Sequence, residues 1–434
     1  MKDLLYSHLS VNEKSHLTIE GHDAADLLKE YGSPLMVVSE SVIRENCRTY
    51  MEAMGKYFPE GSMALFAGKS FCIKAMYPII DSENMGADVA SDGELYTALK
   101  AGFPAEKLFF HGNNKTDENI TFAVESAIGY IVCDNEDELM AIDRIARDHG
   151  TVQKILLRLT PGIDPHTQEK INTGRIDSKF GSTIATGQAE ELTLKALKLE
   201  NIALKGFHCH IGSQIFEADP FEDAARMMCE FIALINEKTG FQPEFLNLGG
   251  GFGVPYVASD SQVDYAGNIE KVGAALNDAC GKLNISVPKI LLEPGRSIVA
   301  KAGTTIYTAG AVKYIPGYIN YVSVDGGMTD NPRYTLYESA YTVVAADRMN
   351  DECTVEYTVA GRCCESGDLL QRNVMLPEMH RGDLIAVLTT GAYNYAMASN
   401  YNRVRRPAIA MVTKDASRLV VKRESFEDLV INDL

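Results

Sequence analysis

Between residues 63 and 292, short runs rich in apolar and β-branched residues alternate with longer stretches whose apolar positions recur three and four apart. The short runs are Met63–Ala67, Ala87–Ser91, Leu108–His111, Tyr130–Cys133, Ile155–Leu159, Gly206–Ile211, Phe245–Leu248 and Ile290–Leu292, and each predicts a buried strand. Stretches such as Gly93–Ala101 and Glu136–Asp148 carry the helix period. Eight strand-helix units over about 250 residues predict an α/β fold, a (β/α)8 barrel. After about residue 300 the pattern changes to Thr-, Val- and Tyr-rich runs broken by Gly, Pro and Asp, so a mostly β domain, a sandwich or barrel, should follow.

Composition narrows the partners. The 434 residues carry a formal charge of −18, and no Lys/Arg run could track a phosphate backbone, which argues against nucleic acid. The first residues alternate polar and apolar too quickly for a signal peptide, and no apolar stretch reaches about 18 residues, so a cytoplasmic protein without a membrane span is expected. Nine cysteines, an odd number with no Cys-x-x-Cys spacing, point to buried thiols rather than disulfides or zinc.

In a barrel of this kind the active site forms at the C-terminal ends of the strands. Those ends read Lys69, Ser91-Asp92, Asn113-Asn114-Lys115, Asp134, Arg158, His210 to Ser213, Gly249 to Gly251, and Glu293 to Arg296. A glycine loop lets a backbone approach a phosphate with its N–H groups facing the anion; a tight turn is the plain alternative for Gly249–Gly251. His208 and His210, two apart on one strand face, look like a metal pair, yet the sole later histidine is His380, in the β domain. No metal is expected; one imidazole would lie flat on a planar ring, and His208 would be a satisfied core histidine. Lys69 at the barrel mouth could form a Schiff base with a cofactor aldehyde, although an exposed salt-bridging lysine is the simpler role for it alone. Glu293 could keep a pyridine nitrogen protonated, so that the ring accepts an electron pair from a substrate Cα. Together these residues describe a pyridoxal phosphate site.

The stretches GADVASDGELYTALKAGFP, HGNNKT, PGIDPHTQEKINTGRIDSKFG, HCHIGSQ, NLGGGFGVPY, EPGRSIVA, VDGGMTDNPRYTLY, CESGD and GAYNYAMASNYN follow one another in this order. In them the chain resembles the barrel-type (fold type III) pyridoxal phosphate-dependent decarboxylases, and within these the diaminopimelate decarboxylases. There are two departures. FAGKSF stands where the family usually has Tyr-Ala-x-Lys-Ala-Asn, with Lys69 still in the lysine position and Lys74 expected on the following helix. NPRYTLY stands where proline and alanine more often separate the arginine from Leu336-Tyr337.

The resemblance implies roles. Lys69 would carry the cofactor, His210 would stack on its ring, and Glu293 would pair with its nitrogen. Ser213, Gly250, Gly251, Gly295, Arg296 and Tyr393 would surround phosphate or ring. Arg296, Arg333, Tyr337 and Tyr393 would hold the substrate, with Glu365 on its ammonium. Cys364 would return a proton to Cα, and Cys363 would be a packing thiol. The implied reaction is decarboxylation of meso-2,6-diaminopimelate at its D-centre to L-lysine and CO2, the last step of lysine biosynthesis. The partners implied are a small amino-acid substrate and a second copy of the chain, in a homodimer that shares CESGD across subunits. The expected domains are a cofactor-binding barrel over 36–300 and a β domain of 1–35 with 301–434. An ornithine, arginine or carboxynorspermidine decarboxylase of the same fold is the alternative; a racemase, a pyridoxal phosphate carrier and a catalytically decayed relative are further ones.

Overall fold

The computed structural model describes residues 6–163 and 178–434; Asp164–Asp177, inside the matching stretch that begins at Pro161, lie outside the described residues. By their contacts the described residues form two units. One comprises Asn46–Val254 and Gln262–Ser297, and the other comprises residues up to Glu45, Pro255–Ser261 and Ile298–Leu434.

The first unit is a closed parallel barrel. Its strands are β1 (Met63–Ala67), β2 (Gly86–Val89), β3 (Leu108–Phe110), β4 (Tyr130–Cys133), β5 (Gln153–Thr160), β6 (Ile202–His208), β7 (Phe245–Asn247) and β8 (Lys289–Leu292). Each pairs with the next, and β8 closes on β1 through Leu291 opposite Met63 and Leu292 opposite Ala64. Helices on the outside include α1 (Met76–Ser82), α2 (Asp92–Lys100), α3 (Asp117–Glu125), α4 (Glu136–Asp148), α5 (Gln188–Ala196), α6 (Asp219–Thr239) and α7 (Tyr265–Leu283). Apolar side chains fill the barrel: Leu65, Phe109, Val132, Leu156, Phe245 and Leu291 form one buried cluster. Phe109 and Tyr130 stack at 4.4 Å within it. The helices form where the pattern predicts, because α6 buries Phe221, Ala224, Ala225, Met228, Phe231, Ile232 and Ile235 along one face. Its end is set by Gly240 in the left-handed conformation, whose N–H donates to the Asn236 carbonyl.

Three local expectations change. β6 starts at Ile202 and ends at His208, because its pairing with β5 begins at Ile202 opposite Gln153; His210 therefore stands beyond the strand rather than on one face with His208. Lys69 lies in a 3-10 turn, Gly68–Ser70, after β1. Lys74 falls in the turn before α1, not on that helix.

The second unit is mostly β. Its main sheet runs in the order Leu369–Leu376, Val355–Ala360, Ile319–Val324, Gly303–Ile315, Leu35–Ser39, Ala408–Val412, Ser417–Val421. The N-terminal strand Leu35–Ser39 lies inside this sheet, antiparallel to Gly303–Ile315 and parallel to Ala408–Val412. All five of its residues are buried, which suits an apolar run covered on both faces. Gly303–Ile315 also pairs with Leu384–Leu388 through its first half and with Ile319–Val324 through its second, which joins two sheets. Among the described residues, no helix is long and apolar enough to cross a membrane.

Candidate active site

Four strand ends of the barrel converge on one carboxylate. Glu293 follows β8 directly, and its Oε1 accepts a 2.6 Å hydrogen bond from Nδ2 of Asn247, the last residue of β7. His111 Nε2, just past β3, lies 2.8 Å from the same oxygen, and Nε2 of His208, the last residue of β6, lies 3.2 Å from Oε2. All four residues are buried. Burial alone would raise the Glu293 carboxyl, but His111 and His208 outweigh it and hold it well below the usual carboxylate range. Burial also lowers both imidazoles, His208 to about 4. The two directions agree if both imidazoles are neutral beside an ionised carboxylate, with His208 giving it one N–H. His208 Nδ1 and His111 Nε2 are both buried with no hydrogen-bond partner among the described residues.

The ligand atoms of His111, His208 and Glu293 lie within 4.8 Å of one another and could bracket a metal ion; His208 Nε2 makes a hydrogen bond to the carboxylate, whereas His111 Nε2 lies beside it without hydrogen-bond geometry. The suspected pair of His208 and His210 is not a ligand set. His210 Nδ1 instead accepts the Gly250 N–H at 3.3 Å, which leaves its proton on Nε2. Desolvation, then the charges of Lys69 and Arg158, hold His210 well below its ordinary pKa, so its imidazole is neutral.

The glycines have a steric cause. A Cβ on Gly250 would stand 2.0 Å from the Glu293 carbonyl oxygen, and one on Gly251, at φ +121°, 2.3 Å from the Gly212 carbonyl oxygen. The bare loop is how the ends of β7 and β8 reach each other. Beside it, the Arg296 guanidinium donates to Ser213 Oγ at 3.0 Å and 3.3 Å.

Around Lys69 the charges are dense. Burial pushes buried Asp88, on β2, well above the carboxylate range, Glu293 adds to the shift, and the Lys69 ammonium opposes both. Burial raises Glu94 as well, with Lys69 again opposing. Other strand-end residues are structural. Ser91 caps α2 by accepting the Glu94 N–H. Lys115 Nζ donates to buried Glu138 at 2.7 Å and to two carbonyls. Arg158 packs over the Phe180 ring at 4.4 Å, with its Nε 4.0 Å from Asp134.

The remaining sequence-predicted residues belong to the β unit. Arg333 is buried; it donates to Tyr341 Oη at 3.1 Å and Ser339 Oγ at 3.2 Å, and its guanidinium lies over the rings of Tyr256 at 4.9 Å and Tyr341 at 5.9 Å. Tyr337 ends a one-turn helix, Arg333–Tyr337, and Tyr393 has a left-handed backbone, φ +59°. Cys364 is the exposed thiol among nine free cysteines, and Glu365 is exposed beside it. Asp88, His111, Asn247, Tyr256 and Tyr341 were missed from sequence. A polar residue interrupting an apolar strand, as Asp88 does in β2, was the available signal.

Residues 40–300 match the family model described as pyridoxal-dependent decarboxylase, pyridoxal binding domain. The chain is 43% identical over 423 residues to diaminopimelate decarboxylase of Bacillus subtilis (strain 168), covering 98% of this chain and 96% of that protein. To the enzyme of the same name from Synechocystis sp. (strain ATCC 27184 / PCC 6803 / Kazusa) it is 39% identical over 431 residues, 98% of this chain and 91% of the relative. The crystal structure of diaminopimelate decarboxylase from M. jannaschii in co-complex with L-lysine aligns with a TM-score of 0.91 at 32% identity, covering 99% of this chain and 98% of that one.

Proposed function

The chain belongs to the pyridoxal-dependent decarboxylases, and among them to the diaminopimelate decarboxylases; from this premise we propose how its residues divide the work. The reaction removes CO2 from diaminopimelate and leaves L-lysine, the last step of lysine biosynthesis, with pyridoxal phosphate as cofactor.

The residues present fit that cofactor. Glu293 is an ionised carboxylate buried among N–H donors, and the Gly249–Gly251 backbone leaves a cradle that a Cβ would fill. Pyridoxal phosphate, when bound, supplies a protonated ring that takes up the electron pair released as the Cα–carboxylate bond breaks. Glu293 would hold the ring-nitrogen proton, and its cradle is the observation that carries the reading: an acid kept ionised by the Asn247 and His208 donors, with the His111 ring beside it, favours a cation next to it. Lys69 would hold the cofactor aldehyde and give it up to the substrate amine. Neutral His210 would lie flat on the ring without repelling its positive charge. Ser213, Gly250, Gly251, Gly295, Arg296 and Tyr393 would surround phosphate and ring.

For the substrate, Arg296, Arg333, Tyr337 and Tyr393 would bind the distal amino-acid end and Glu365 its ammonium. A substrate with two carboxylates and two ammonium groups calls for a planar guanidinium on one charge and an acid on the other. Cys364 would deliver the proton to Cα as a general acid. We propose a cytoplasmic homodimer in which the CESGD segment serves the neighbouring subunit's site, with the unit of Asn46–Val254 and Gln262–Ser297 as the cofactor-binding domain and the β unit, which takes in Leu35–Ser39, as the domain of the dimer contact.

The test mixes purified protein with pyridoxal phosphate and meso-diaminopimelate, or ornithine in parallel, and measures CO2 and the amine product. Lysine and CO2 should form in equal amounts. Cofactor absorbance without lysine would sink the substrate assignment.

A further inference from the structure

The proposed proton donor stands in an exposed loop, and an exposed loop by itself holds a thiol loosely. Residues 361–368 close an antiparallel hairpin between Val355–Ala360 and Leu369–Leu376, in which the Gly361 N–H donates to the Asp368 carbonyl. Three consecutive N–H groups of this loop are each taken by a different acceptor. Arg362 N–H donates to the Gly326 carbonyl at 3.0 Å. Cys363 N–H donates to Asp368 Oδ2 at 2.7 Å, and Cys364 N–H to Asn402 Oδ1 at 2.7 Å. The other Asp368 oxygen accepts the Met328 N–H at 2.6 Å, so one carboxylate, 2% exposed, ties the loop to the turn after Ile319–Val324. The Asn402 segment joins the same turn, because the Ser399 N–H donates to the Thr329 carbonyl at 2.9 Å.

The glycines make room for this carboxylate. A Cβ at Gly327 would lie 2.5 Å from Asp368 Oδ1, and one at Gly361 2.2 Å from both carboxylate oxygens. The final acid of CESGD, the glycines of VDGGMTD and GRCC, and the last asparagine of SNYN are thus parts of one clasp. Asp368 also separates the adjacent thiols, because burial and then its charge push Cys363 up to about 12. Cys363 stays protonated and half-buried while Cys364 is exposed.

We propose that Asp368 and Asn402 are positioning residues that fix the backbone of Cys364 and so the place from which its thiol delivers a proton. The inference rests on the reading of Cys364 as donor. Asp368→Asn can satisfy only one of the two N–H groups, since an amide has a single acceptor oxygen. It should lower kcat on the order of 100-fold, as expected for a reacting group misplaced by about 1 Å, with KM and cofactor affinity within about twofold of the parent. Asn402 is exposed, so Asn402→Ala should still fold, with some loss of stability because its backbone is left-handed, φ +51°, and should lower kcat about tenfold. Asn402→Asp keeps an acceptor oxygen and should restore it. The rate at which iodoacetamide alkylates Cys364, read by peptide mass spectrometry, should change in Asn402→Ala and recover in Asn402→Asp.

Parent-like kcat and alkylation in Asn402→Ala, alongside a slow Cys364→Ala, would overturn the positioning role and leave the donor reading standing. Failure of Asn402→Asp to rescue would overturn the acceptor role. Normal turnover in Cys364→Ala would overturn donor and clasp together.

Discussion

Replacing Gly250 by alanine puts a new methyl group against backbone that cannot turn aside. The Cβ would meet the Glu293 carbonyl oxygen at 2.0 Å and its carbon at 2.9 Å. Real Cβ contacts do not fall below 3.0 Å, so the two strand ends must separate by at least about 1 Å. That movement acts on the Glu293 N–H bond to Gly249, 2.8 Å, and on the Gly250 N–H bond to His210, 3.3 Å. Overpacking of about 1–3 kcal/mol and two weakened hydrogen bonds of about 1 kcal/mol each sum to roughly 3–5 kcal/mol. For a unit of this size the melting temperature should fall by roughly 6–20 °C. Calorimetry of the cofactor-loaded protein measures this, and cofactor affinity should fall with it, because Glu293 and His210 are the groups displaced. Gly281→Ala is the internal control: Gly281 lies in α7 with nothing within 4 Å of its Cβ position. It should stabilise by about 0.5–1 kcal/mol through helix propensity. A Gly250→Ala protein that melts within about 2 °C of the parent and binds cofactor as tightly would refute the close-approach reasoning.

Cys364→Ala should leave cofactor absorbance intact and slow decarboxylation by about 10²–10⁴, the usual share of a general acid; near-normal turnover refutes the donor role. Arg333→Lys gives up the fork that bonds Tyr341 and Ser339 between two aromatic rings, so KM for diaminopimelate should rise about tenfold or more while cofactor affinity is unchanged. Asp330 has its carboxyl pushed up to about 7 by burial, above the ordinary value near 3.9. The folded β unit therefore binds an extra proton between about pH 4 and 7, and its stability falls as pH rises through that window. Asp330→Asn should flatten this fall and raise the melting temperature at pH 8, since an amide can still accept the Gly327 N–H and donate to Tyr307 Oη. An unchanged pH profile in that variant would discount Asp330 as its source.

The barrel was legible because buried parallel strands must be apolar, and Met63–Ala67 or Tyr130–Cys133 appear as runs that amphipathic helices separate. Glu293 was legible because it follows such a run at once, and Lys69 because it stands two residues past one; His210 was picked out from inside the expected run Gly206–Ile211, and the strand ends two residues before it. The cradle was not. His111 is one residue from its strand end, but nothing in FFHGN shows that its ring meets Glu293, 182 positions later, beside Asn247 and His208. His208 looked like a core histidine, and it is buried; what it satisfies is the carboxylate that gives the site its charge. Tyr256 escaped notice because Pro255–Ser261 has neither strand nor helix period, and only three-dimensional contact assigns that stretch to the β unit under Arg333.

The strand Leu35–Ser39 is made early and completed late. Its two neighbours, Gly303–Ile315 and Ala408–Val412, leave the ribosome only after the whole barrel sequence has been synthesised. At about 5–20 residues per second the first partner arrives on the order of 10–50 s after the strand itself. During that interval five consecutive apolar or small residues have every sheet hydrogen bond unmade, a span in which a chaperone or a second nascent chain can pair with them. The barrel, whose eight strands all lie between Met63 and Leu292, can close first, so translation speed between codons 40 and 303 sets how long the other unit waits for its middle strand.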